Sequence, residues 1–113
     1  MISEGFLQYR LVLLIIFNLF IDNCIYALGG FDSANYQSSV ERLDPRMGRW
    51  MSVPSMSSRR SSCGVAALDN FLYCVGGNDG TMCLSTAERF NVRRNVWEPI
   101  ASMHSRRLVF SLL

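Results

Sequence analysis

Apolar positions in the second half of the chain come in short bursts, each closed by residues that favour turns. Cys63 to Leu68 is one apolar run, Phe71 to Val75 a second that ends on Gly76-Gly77, Ser85 to Asn91 alternates, and Val96 to Ala101 carries a tryptophan. Runs of this length, bounded by turn residues and rich in β-branched and aromatic side chains, predict strands; no stretch holds the period that a helix needs. The connections agree. Asp69-Asn70 suits a tight hairpin, Asn78-Asp79-Gly80 is turn chemistry, and Asn91 to Asn95 is a polar loop. Four strands therefore make one antiparallel unit.

The unit occurs twice. Gly29-Gly30 returns as Gly76-Gly77, Trp50 as Trp97, Met56 as Met103 and Arg59-Arg60 as Arg106-Arg107, every pair 47 residues apart and without a gap. At the same offset Asp22-Asn23 matches Asp69-Asn70, Tyr26 matches Tyr73, Asp32 matches Asp79, Ser38 matches Ser85, Glu41-Arg42 matches Glu88-Arg89 and Arg46 matches Arg93. A period in the forties, with four strands, a double glycine and a spaced tryptophan, predicts the blade of an all-β propeller.

The motifs that carry the pattern are Ile25-Tyr26-Ala27-Leu28-Gly29-Gly30-Phe31-Asp32, Val40-Glu41-Arg42-Leu43-Asp44-Pro45 with Trp50, and Met56 through Val65. They resemble the Kelch repeat. The second copy is similar to the Kelch-like proteins that also carry BTB and BACK domains, the actinfilin-like branch among them. The resemblance covers residues 21 to 107. It divides the chain into an atypical hydrophobic segment at 1–20, a first repeat at 21–60 whose first strand is atypical or missing, a second repeat at 61–107, and the start of a third at 108–113. It also implies that the first strand of each unit is innermost and the tryptophan strand lies near the rim. A propeller closes with roughly four to eight blades, so two blades and a beginning are expected to be a fragment with its ring open.

Several residues have structural roles to fill in such a unit. Gly29, Gly30, Gly76 and Gly77 stand where the backbone needs close approach or unusual dihedrals, and Trp50, Trp97, Tyr26 and Tyr73 supply area for packing one blade on the next. Arg60 and Arg107 are expected to satisfy backbone carbonyls, or Glu41 and Glu88, at the blade junctions, as partly buried forks that lysine would replace poorly. Upstream, the apolar run 11–21 follows Arg10 like the core of a signal peptide. It is too short to span a bilayer, and cleavage near Ala27 or Gly29 would destroy the first repeat's motif. At the 47-residue offset, Leu14 to Ile21 stands where Ser61 to Leu68 stands, but the arginine pair and the Gly-Val signature are missing. This run is either a surrogate innermost strand or foreign sequence joined at an exon boundary, with the second favoured.

Composition narrows the chemistry. The formal charge is only +2, and the arginines fall in repeated pairs instead of one basic run, which disfavours nucleic acid as partner. All eleven basic residues are arginine, so the segment offers no lysine amine for ubiquitin or acetyl transfer. Cys24, Cys63, Cys74 and Cys83 have no C-x-x-C spacing and no disulfide pattern; the first three lie in apolar runs and are expected in the core, in a reducing compartment. No phosphate-binding glycine pattern occurs, no G-x-S-x-G elbow joins Ser, His and Asp, and His104 has no second histidine to share a metal. The copper chemistry of the galactose-oxidase kind of Kelch protein is remote for the same reason. No catalytic residue, cofactor or metal is expected.

What remains is recognition. In Kelch-like relatives partner contacts come from the loop after the double glycine and from residues just after the arginine pair. Carried here, the resemblance assigns Phe31, Tyr36, Asn78, Met82 and Cys83 to the first class, and Ser61, Ser62 and Leu108 to the second. It implies the substrate-recognition part of a cullin-based ubiquitin ligase adaptor, which would reach the cullin only through a BTB domain that these 113 residues do not include. The alternative is an actin-binding cytoskeletal scaffold. Either implies a protein partner and a cytoplasmic location, in the second case on the cytoskeleton.

Overall fold

The computed structural model describes residues 10–11, 24–32 and 35–103, with backbone only at Arg10, Leu11 and Asp32. Among these residues every regular element is a strand. The second repeat is the complete one: β6 (Gly64–Leu68), β7 (Phe71–Val75), β8 (Ala87–Asn91) and β9 (Val96–Ile100) form a four-stranded antiparallel sheet in sequence order. Asp69, with φ of 55°, turns β6 into β7 through a two-residue hairpin, the left-handed geometry in which a short polar side chain is tolerated best. Strands β6, β8 and β9 are one or two residues shorter at their ends than the apolar runs suggested, because Cys63, Ser85-Thr86 and Ala101 belong to connections.

The first repeat copies this sheet strand for strand where it is described. β2 (Ile25–Leu28), β4 (Val40–Asp44) and β5 (Arg49–Val53) form a three-stranded antiparallel sheet, and β4 and β5 coincide with β8 and β9 at the 47-residue offset. The details repeat too. Leu43 pairs with Trp50 as Phe90 pairs with Trp97. Gly48 donates its amide to Asp44 and Asn95 donates to Asn91, with φ of 69° and 59° at the two donors. The run Leu14 to Ile21, for which a surrogate innermost strand and joined foreign sequence were the two readings, lies outside the described residues. A short upstream piece is described: β1 (Arg10–Leu11) pairs antiparallel with β3 (Phe31–Asp32), placing Leu11 opposite Phe31. The two blades do not close a ring.

Period-two alternation decides which side of each sheet meets the other. In the first blade Tyr26, Leu28 and Val40 point one way, and in the second Leu72, Cys74, Phe90 and Val65 point back at them, forming one core with Cys24, Met56 and Cys63. Tyr26 and Phe90 have ring centroids 6.4 Å apart. Trp97 packs on the edge of this core and donates its indole N–H to the Pro54 carbonyl at 2.7 Å, across the junction. Burying each large apolar side chain contributes roughly 1.5–3 kcal/mol, against about 1 kcal/mol for the indole hydrogen bond, so packing does most to hold the blades together and the indole adds a directional contact. Three of the four cysteines, Cys24, Cys63 and Cys74, are buried in this core and form no disulfide. The opposite side of the first blade collects Ala27, Leu43 and Trp50 in a second cluster.

Candidate functional site

The connection between the blades builds the site. From Pro54 to Ser62 the chain crosses from β5 to β6, and its pivot is Arg60, whose side chain is 1% exposed. All five guanidinium donors are used. Nε and Nη2 donate to Glu88 Oε2 at 3.1 and 3.0 Å, Nη1 to the carbonyls of Gly76 and Thr86 at 2.8 and 3.0 Å, and Nη2 also to Thr86 Oγ1 at 3.1 Å. Glu88 completes its set with the Ser57 amide at 2.9 Å and hydroxyl at 3.1 Å. A buried charge pair is tolerated only when every remaining donor and acceptor is matched, and a planar fork can do that where a lysine ammonium cannot. The carbonyls that Arg60 grips, on Gly76 and Thr86, mark the two ends of the loop that carries Asn78, Met82 and Cys83. Arg60 braces that loop.

The backbone of the same residue holds the matching loop of the first blade. Arg60 donates its amide to Gln37 and accepts from Gly30 at 2.8 Å. This approach is why Gly29 must be glycine: at φ of 62°, a methyl added there would overlap the Arg60 carbonyl oxygen. One residue thus ties both loops that follow the double glycines to one end of the two-blade unit.

On that end the residues singled out in the sequence fall into two equivalent ladders. Phe31 bridges Tyr36, and Asn78 bridges Cys83 on one side and Ser61 on the other. Phe31 and Tyr36 are half-buried and meet edge to face, with centroids 4.9 Å apart. The loops touch across the blades, because a methyl at Gly80 would stand 3.0 Å from the Tyr36 ring. Asn78 accepts from the Gly80 amide at 2.7 Å, and its side-chain amide points at Cys83 Sγ, 3.9 Å away. Met82 is 41% exposed beside them. Ser62 is exposed in a left-handed bend with φ of 59°. The structure brings Phe31, Tyr36, Ser61, Asn78, Met82 and Cys83 to one surface; Leu108, like Arg107 and His104, lies outside the described residues.

Two further groups belong to this surface, and sequence reading did not single them out. Gly80 makes room for Tyr36, and Asp79 accepts from the amides of Met82 and Thr81 at 2.9 and 2.8 Å, bonds that hold its carboxyl below the usual carboxylate range. The Asn-Asp-Gly turn signal was legible, but which side chain of the other blade would sit over it was not. Away from this end, the solvent-side face of β7 to β9 carries Arg89 stacked 4.0 Å over the Phe71 ring and paired with Glu98 at 3.1 Å. Among the described residues no group of three or more His, Cys, Asp or Glu side chains can hold a metal, and no helix is long and apolar enough to cross a membrane.

Two antiparallel sheets related by a fixed repeat, packed face to face and crossed by a braced linker, define a β-propeller fragment. A family model for the Kelch motif matches residues 19–57 and again 59–104, and the chain belongs to the Kelch-repeat family. Propellers built from these repeats are generally protein-interaction domains and not enzymes.

Proposed function

We propose that this chain holds a partner protein at the surface made by the two loops after the double glycines, and that it belongs to the substrate-recognition propeller of a cullin-based ubiquitin ligase adaptor acting in the cytoplasm. The observation that carries the binding reading is the contact between blades at Tyr36 and Gly80. It joins two loops into one surface, with aromatic edges at Phe31 and Tyr36 and a flexible thioether at Met82. Rigid aromatics beside an adaptable methionine suit an adjustable apolar anchor site, and loops positioned by a stiff scaffold are where recognition residues concentrate. The absence of lysine supports the ligase reading in a limited way, since a substrate holder without side-chain amines is a poor acceptor for the ubiquitin it delivers.

The test is affinity capture from cells with the intact protein and with Phe31→Ala, Tyr36→Ala and Met82→Ala variants, compared by quantitative mass spectrometry. Partners that fall severalfold with all three variants, and whose abundance rises when cullin activity is blocked, support the proposal. Unchanged capture would remove this surface from consideration. Actin as the dominant partner in a co-sedimentation assay would replace the ligase reading with the cytoskeletal one.

A further inference from the structure

The end of the unit opposite the loop surface is formed by three turns: residues 44–49 between β4 and β5, 68–71 between β6 and β7, and 91–96 between β8 and β9. Among the described residues four large apolar side chains are exposed: Met47 at 51%, Leu68 at 62%, Val96 at 39% and Met82 at 41%. Only Met82 belongs to the loop surface. The turns of Met47 and Val96 also hold four exposed arginines, Arg46, Arg49, Arg93 and Arg94. The repeats match, since Arg46-Met47-Gly48-Arg49 and Arg93-Arg94-Asn95-Val96 each set two arginines and one exposed apolar residue at the same place in the unit. These turns are pinned by their own bonds. The Asp44 side chain accepts from the Arg46 amide at 2.9 Å, the Asn91 side chain accepts from the Arg94 amide at 3.1 Å, and the Val92 amide donates to the Asn70 carbonyl at 2.9 Å. A surface on such a fixed backbone loses little freedom when a partner binds.

Exposed apolar side chains gathered at one end mark a contact surface, and its charge says what fits. Four arginines against the carboxylates of Asp44 and Asp69 leave an excess of two positive charges, and Arg46 stays 80% exposed although it pairs with Asp44 at 3.0 Å. Glu98 is engaged within the sheet by Arg89 and Asn91. Guanidinium forks grip carboxylates through two parallel bonds. A continuous anionic lipid surface would repel Asp44 and Asp69, whereas the spaced carboxylates of a peptide can settle around them. We propose that this turn end is a second docking surface, for an acidic protein segment whose large apolar side chains contact Met47, Leu68 and Val96 while its carboxylates pair with Arg49, Arg93 and Arg94. This surface and the loop surface lie at opposite ends, so a partner held at one leaves the other open to a second, and neither reading depends on the other.

The experiment is fluorescence anisotropy of the intact chain with short labelled peptides: Glu-Glu-Leu repeats, Glu-Glu-Ser repeats of equal charge, and Lys-Lys-Leu repeats. The first should bind best, the last not at all, and binding should weaken as ionic strength rises past about 0.15 M, where charges are screened beyond about 8 Å. Arg49→Glu combined with Arg93→Glu should weaken Glu-Glu-Leu binding about tenfold, and Met47→Ser combined with Leu68→Ser about fivefold. Arg59→Glu, the same charge change at the other end, should stay within about twofold. NMR amide shifts on the unaltered chain locate the contact without any variant, and should move at 44–49, 68–71 and 91–96 while 78–83 stay in place. Absence of Glu-Glu-Leu binding, with or without binding to phosphatidylserine vesicles, would overturn the proposal. So would Glu-Glu-Ser binding as tightly as Glu-Glu-Leu, an Arg59→Glu loss equal to that of the arginine pair, or shifts confined to 78–83.

Discussion

Replacing Arg60 with methionine isolates what the junction gains from its fork. The variant leaves the Glu88 carboxylate, 2% exposed, with only the Ser57 amide and hydroxyl as donors, and strips the Gly76 carbonyl of its side-chain partner. Removing one member of a buried pair costs about 3–5 kcal/mol, and an orphaned carbonyl adds roughly 1–3 kcal/mol, against a total of about 5–15 kcal/mol for a domain. Arg60→Met alone should therefore cost roughly 4–8 kcal/mol and leave the unit only marginally stable. Glu88→Leu should cost a similar amount by stranding the guanidinium. The double variant, in which no charge stays buried, should be more stable than the sum of the single effects by at least about 2 kcal/mol. Urea titrations followed by tryptophan fluorescence measure all three, because Trp97 reports directly on the Pro54 contact across the same junction. A loss below about 1 kcal/mol for Arg60→Met, or simple additivity in the double variant, would show that the fork is dispensable and that apolar packing alone joins the blades.

Further outcomes follow from other contacts. Gly29→Ala should destabilise by about 2–3 kcal/mol, a left-handed cost of roughly 1–2 kcal/mol plus loss of a backbone hydrogen bond of about 1 kcal/mol, whereas Gly48→Asn should cost little because Asn95 already holds that turn geometry; thermal melts separate the two. Iodoacetamide at pH 8 should label half-buried Cys83 in the native chain and spare Cys74, whose thiol is pushed up by its hydrogen bond with Cys63 and by burial; labelling of Cys74 as fast as Cys83, read by mass spectrometry, would contradict the packed core. Asn91 and Arg89 hold the Glu98 carboxyl below its ordinary range, and the Met82 and Thr81 amides do the same for Asp79. A lowered folded-state value stabilises above the unfolded one and is lost as pH falls through the lowered one, so melting temperature should be level from pH 7 to about 5 and drop below roughly pH 4. Glu98→Gln with Asp79→Asn should flatten part of that drop.

Much of the fold was legible before any coordinates, because a repeat writes its own alignment: Trp50 and Trp97, or Gly29-Gly30 and Gly76-Gly77, fall on equivalent points of two sheets, and strand alternation alone separates Leu72 and Cys74 from Phe71 and Tyr73. The candidate surface was legible only as a roster of loop residues. That Tyr36 lies over Gly80, and that Phe31 meets it edge on, depends on how one blade is rotated against the next, which is settled by the fit of Tyr26, Leu28 and Val40 into Leu72, Cys74 and Phe90. The upstream run marks the limit most clearly. Periodicity ends at Ile21, so counting along the chain assigned Leu14 to the place of Ser61, yet pairing put Leu11 there. Local composition determines which segments become strands and where they turn, since both depend on residues close in the chain; which strand meets which, in what register and with which side chain beneath a loop, is decided by hydrogen bonds and packing between residues that only folding brings together.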